Sequence, residues 1–222
     1  MAEASGDAAS QSSFNDQLHN AAALGEMALL RMALAAGADV EARRTANGVT
    51  RTPLARVVDT RTTVSEERRT ACVRALLLAG ASPSAPITSV GSCWMPLHDA
   101  AFLGLYTVCR LLLDAGADVN VPSNMSVNDT PLHYATTRFP HTHRNQKVVA
   151  LFLSHGATDG PHVDRWGRSS YLRKIRAAGG FASHAKQHRE KLVAMLAPKL
   201  GHLLPPELVS VVISFWAPVG LH

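Results

Sequence analysis

MPLHDAAFLGLYTVCRLLLDAGADVN, residues 95–120, carries the pattern on which the chain is built. Pro96 suits the first turn of a helix, where its missing N–H needs no partner. Leu97, Ala100 and Ala101 follow at helical spacing, and Gly104 ends this short helix. Val108, Leu111 and Leu112 mark a second helix. Gly116 closes it, because glycine accepts the left-handed backbone common just past a helix end. A polar stretch runs from Asp118 to Asp129, and the pattern restarts at Thr130, Pro131, Leu132 and His133.

The closing phrase occurs four times: Ala36-Gly37-Ala38-Asp39-Val40, Ala79-Gly80-Ala81-Ser82-Pro83, Ala115-Gly116-Ala117-Asp118-Val119 and His155-Gly156-Ala157-Thr158-Asp159. An opening phrase precedes each: Leu18-His19, Thr52-Pro53-Leu54, Met95-Pro96-Leu97-His98 and Thr130-Pro131-Leu132-His133. Each unit is helix, tight turn, helix, long loop. One such pair cannot bury its apolar face alone, so neighbours must stack. Nineteen residues separate Leu18 from Gly37 and Leu97 from Gly116, against 26 from Leu54 to Gly80 and 24 from Leu132 to Gly156. The excess falls at the turn between the helices, around residues 59–67 and 137–145, and insertions of this kind line one edge of a stack.

Two phrases in fixed order resemble the ankyrin repeat. The resemblance implies an all-α solenoid of helix–turn–helix units with hairpin-like loops. Those loops would project as fingers beside a concave, protein-binding groove. It also implies structural roles for His19, His98 and His133. The units are expected at 15–48, 49–92, 93–127 and 128–163, with a degenerate one at 164–200 whose second helix runs from about Ser183 to Leu196. Residues 1–14, rich in Ala and Ser, read as a disordered tail. Target contacts are expected from the loops, at Arg43, Arg44, Trp94, Asn124, Met125 and Trp166, since Trp and Arg are over-represented at binding hot spots. A Trp folded back onto the neighbouring loop is the competing reading.

After Gly201 the composition changes. Pro205 or Pro206 suits a helix start, and Leu208, Val211, Val212 and Phe215 form one stripe. Val209, Ile213 and Trp216 widen it until most of the helix is apolar, so something must cover it. Leu204, Pro205, Glu207, Leu208, Val212, Ile213 and Phe215 resemble the first helix of an F-box, followed by Trp216. Ankyrin repeats ending in such a truncated box resemble the PRANC-type proteins. That resemblance implies a substrate-recognition subunit of a cullin–RING ubiquitin ligase, its tail on a Skp-type adaptor. A SOCS-type box and a simple capping helix over residues 201–222 remain open beside it.

The 222 residues carry 22 Lys and Arg against 17 Asp and Glu, a net charge of +5. Between Arg165 and Lys199 nine basic residues face Glu190 alone, with only Trp166, Tyr171 and Phe181 among them, fewer aromatics than a stacking platform for bases would interleave. A solvated helical face is expected there, not a nucleic-acid site. Cys72, Cys93 and Cys109 are odd in number and form no CxxC, which points to reduced thiols and a cytoplasmic or nuclear setting. His141 and His143 with His155 or Asp159 suggest a metal site only by spacing, which is weak support in an insertion without Cys. No phosphate loop or nucleophile elbow occurs. We expect no catalysis, cofactor, metal or membrane span.

Overall fold

The computed structural model describes residues 3–89, 92–123, 129–137, 143–158, 170–200, 205 and 208. Helices come in pairs: α1 (Glu3–Leu24) with α2 (Met27–Ala35), α3 (Pro53–Val57) with α4 (Glu66–Leu78), α5 (Pro96–Leu103) with α6 (Tyr106–Asp114), α7 (Pro131–Thr137) with α8 (His143–Ser154), and α9 (Ser170–Ala177) with α10 (Phe181–Leu200). First helices pack on first helices, α1 on α3 and α5 on α7. Second helices form their own row, α2 on α4, α4 on α6 and α6 on α8, while α10 meets α8. Between the pairs lie short strands β1 (Arg44–Ala46), β2 (Val49–Arg51), β3 (Ile87–Ser89) and β4 (Ser92–Trp94).

The recurring leucines make the core. Leu18, Leu54, Leu97 and Leu132 of the opening phrase are all fully or almost fully buried, as are Leu30, Leu76, Leu112 and Phe152 of the second helices. Each such side chain stabilises by roughly 1.5–3 kcal/mol. Cys72 and Cys109 are free thiols inside this core, and burial raises the pKa of both.

All four closing phrases adopt one geometry. Gly37, Gly80, Gly116 and Gly156 have φ of 91°, 92°, 94° and 81°. At Gly116 its N–H donates to Leu113 O (2.9 Å) and the N–H of Ala117 to Leu112 O (2.9 Å). The same two bonds recur at the other three turns, the crossed pair that satisfies the last carbonyls of a helix. Beyond the turn, Asp39 and Asp118 accept from the N–H two residues on, each at 2.9 Å. Glu41 and Asn120 then reach the next unit, Glu41 accepting from Ser82 N (2.7 Å) and Asn120 from Thr158 N (2.8 Å).

His98 shows what the opening phrase does. Its Nδ1 accepts from Met95 N (3.0 Å) and so carries no proton, leaving Nε2–H to donate to Val121 O at 3.1 Å. One ring thereby caps α5 and holds the loop that leads to the next unit. Burial depresses its pKa to about 4, so the ring is neutral. His19 does the same to Ala42 O at 2.9 Å, across the same sequence separation. The second unit has Ala55 at this position.

The insertion after α3 is held by a residue from the far side of the turn. Arg69 is buried in α4 and donates to four carbonyls: Val64 O (3.0 Å), Val57 O (2.6 Å), Asp59 O (3.2 Å) and Thr62 O (2.6 Å). Two expectations need correction. The stretch read as a disordered tail, residues 1–14, is helical from Glu3. It is tied down by a long-range bond from Gln11 Nε2 to Gly37 O (2.7 Å), and just beyond it Asn15 Oδ1 accepts from Asp39 N (2.8 Å). The last helix is longer than its expected span, Phe181–Leu200, with Pro198 inside its final turn.

Two substitutions test this account by chemical denaturation. A Cβ at Gly116 would meet no atom within 4 Å, so Gly116→Ala isolates backbone strain. We expect a loss of about 1–2 kcal/mol, and a smaller one for Gly116→Asn, because Asn tolerates the left-handed region. Arg69→Leu takes a guanidinium donor from four buried or part-buried carbonyls, of which Asp59 O keeps the N–H and hydroxyl of Thr62, and should cost at least about 3 kcal/mol.

Candidate protein-binding face

Asn47 and Gly48 both take positive φ, 52° and 72°, the pair of left-handed residues that a tight hairpin turn requires. They fold β1 onto β2 with Arg44 opposite Arg51. β3 and β4 form a second hairpin, with Ile87 opposite Trp94. Val49 and Thr50 pair with Ser89 and Thr88, joining both hairpins into one four-stranded antiparallel sheet. The expected hairpin-like loops of the first two units are therefore a continuous sheet.

Two adjoining hollows open between this sheet and the first helices. One, of about 120 Å3, is lined by His19, Asn20, Arg44, Arg51 and Arg56. The other, of about 180 Å3, is lined by Arg51, Arg61, Ser89, Trp94 and Asp99. Val49 and Arg51 belong to both. Beneath them lies a buried ionic cluster. Asp59, almost wholly buried, accepts from Arg56 Nη1 (3.0 Å) and from the N–H of Arg61 (3.1 Å), with Arg51 Nε at 3.6 Å. Asp99 is buried beside it. Desolvation, then the negative charge of Asp59, pushes its pKa up to about 7, against the opposing pull of Arg51, Trp94 and Arg61. Trp94 Nε1 lies close enough to favour the Asp99 anion but forms no hydrogen bond.

The expected target contacts divide. Arg44 lines the first hollow and is exposed, 2.9 Å from Asn20 Oδ1 and 3.6 Å from Asp16. Arg43 is exposed and reaches Pro86 O at 3.5 Å. Trp94 lines the second hollow, half-buried, its ring 4.6 Å from that of Tyr134 and 5.3 Å from that of His98. The Tyr134 hydroxyl donates to Asp129 Oδ2 (3.2 Å), and burial raises its pKa to about 12. Asn124, Met125 and Trp166 lie outside the described residues, as do Leu204, Glu207, Val212, Ile213, Phe215 and Trp216. Pro205 and Leu208 are described, and both are exposed. Sequence reading missed Arg51, Arg56, Asp59, Arg61 and Asp99. The Asn47-Gly48 dipeptide is the signal that could have located the hairpin carrying Arg51.

Residues 63–164 match the family described as ankyrin repeats, in three copies. The ankyrin match begins inside the second unit and stops before the segment 201–222. No curated protein matches the chain. Ankyrin repeats and the mostly helical structure fit an all-α repeat fold, and ankyrin repeats mark a protein–protein interaction module. Among the described residues no helix is long and apolar enough to cross a membrane, and no cluster of His, Cys, Asp or Glu is arranged to hold a metal ion.

Asp99 gives the face a pH signature. Folding raises its pKa from 3.8 to about 7, so the folded state holds the proton more tightly than the unfolded one. Its contribution is fully present below the lower value and is lost as pH rises through the upper one. Asp99→Asn should therefore gain in melting temperature relative to wild type as pH climbs from about 4 to about 7, and the difference should level off above that.

Proposed function

We propose that the protein is a substrate-recognition subunit of a cullin–RING ubiquitin ligase. In this reading the repeats form a solenoid that holds the target on its hairpins and first helices. The segment 201–222 docks on a Skp-type adaptor. The reading is supported by the F-box-like register of Leu204, Pro205, Glu207, Leu208, Val212, Ile213 and Phe215 beside an ankyrin match. The observation that favours docking over capping is Leu208. Its N–H donates to Pro205 O at 3.0 Å, as at the start of a helix, yet the side chain is 48% exposed. A capping helix would turn that leucine onto the stack, whereas an adaptor-binding one would hold it ready for a partner.

Two measurements decide between them. Pull-down of a Skp-type adaptor with wild type and with Leu208→Asp plus Phe215→Asp should show recovery reduced by at least about tenfold in the variant. Equal recovery from both, or none from wild type, removes the adaptor reading, provided that the variant still folds. Deleting residues 201–222 should leave the melting temperature nearly unchanged if the segment docks, and should lower it if the segment caps the stack.

A further inference from the structure

The 180 Å3 hollow is lined by two buried donors, Arg51 Nε and Trp94 Nε1, that lie near the carboxylates of Asp59 and Asp99 without forming a hydrogen bond to them. Arg51 Nε and Trp94 Nε1 are both buried without a hydrogen bond among the described residues, and the Arg51 side chain is only 9% exposed. The nearest anion to Arg51 is Asp59 at 3.6 Å, and Arg56 and the Arg61 N–H already bond to it. A buried guanidinium N–H left unmatched is costly, more so than a neutral donor. Arg61 stands exposed at the rim of the same hollow, and Arg44 and Arg56 line the adjoining one. Four arginines thus converge on two connected cavities, against Asp16, Asp59 and Asp99.

We propose that this hollow is a subsite for a carboxylate side chain of an acidic peptide, paired by Arg51 and Arg61 and hydrogen-bonded by the Trp94 indole. The proposal rests on the reading that the repeats hold a protein target, and it names the chemistry of that target. A planar guanidinium matches the two oxygens of a carboxylate. The cavity has room for a side chain, not for a folded element. A second acidic residue of the same peptide reaches Arg44 and Arg56 next door.

Asp99 also faces the hollow. Ionised, it repels the incoming carboxylate; protonated, it donates a hydrogen bond to it. The charged groups around it are Arg51 from β2, Asp59 and Arg61 from the loop after α3, and Arg69 from α4. Peptide capture is therefore linked to proton uptake at Asp99. Glutamate side chains in the peptide stay ionised well below neutrality, so affinity rises as pH falls from about 8 to about 6.

The test uses the full chain and fluorescence anisotropy of a labelled peptide of alternating Glu and Gly, its Gln counterpart and a phosphoserine version. The Glu peptide should bind at least about tenfold more tightly than the Gln peptide, and Arg61→Gln, an exposed change, should weaken it about fivefold. Asp99→Asn, an uncharged donor at every pH, should bind the Glu peptide more tightly than wild type at pH 8 and lose the pH dependence. Equal binding of the Glu and Gln peptides, or indifference to Arg61→Gln, overturns the subsite. Phosphoserine binding more than about tenfold tighter than Glu overturns the carboxylate assignment in favour of a phosphate. A protein target whose recovery is unchanged by Arg61→Gln sinks the subsite while the protein-binding reading stands, and the Leu208 variants bear on neither.

Discussion

Helices this short cannot stand alone in water. α3 has five residues and α7 seven, well under the dozen or more at which an isolated helix becomes even marginal. Each survives because its leucine is sealed against a neighbouring pair, α3 on α1 and α7 on α5. That dependence explains why the same side chains recur at the same depth, and why links run between units as well as within them. Glu41 to Ser82, Asn120 to Thr158 and Arg68 to Gly25 O are all bonds from one unit to its neighbour. Burial drives the stacking, and these polar links set its spacing.

Much of this was legible because the constraint is local. A helix that ends in a left-handed residue needs glycine there, so four glycines followed by Ala announce four helix ends. Proline at a first turn and leucine after it mark the starts. The insertions were legible as a change in spacing, and the loop at 58–65 lies where the count placed it. What stayed hidden depends on contacts far apart in the chain. Nothing near residues 3–14 announces that Gln11 and Asn15 will meet the turn at Gly37 and Asp39. The pairing of β2 with β3 joins segments nearly forty residues apart.

The charged cluster was hidden for the same reason. Arg51 comes from a strand, Asp59 from an insertion, Asp99 from the first turn of α5 and Trp94 from the strand before it. Each looks unremarkable in its own stretch. Together they put arginines at the mouths of two hollows and two carboxylates beneath them. Exposed arginines in loops attract attention in a sequence, yet Arg51, more buried than either Arg43 or Arg44, is the one common to both cavities.

The clamp made by Arg69 addresses main-chain oxygens only. The path of the insertion is thus insulated from the identity of most side chains along it. Thr60, Arg61 and Thr63 can be exchanged without untying the loop, whereas Asp59 is committed to its ionic partners. Two of those exchangeable positions, 60 and 61, border the larger hollow. Here a lineage, or a combinatorial library, can rewrite selectivity while the scaffold beneath stays unaltered.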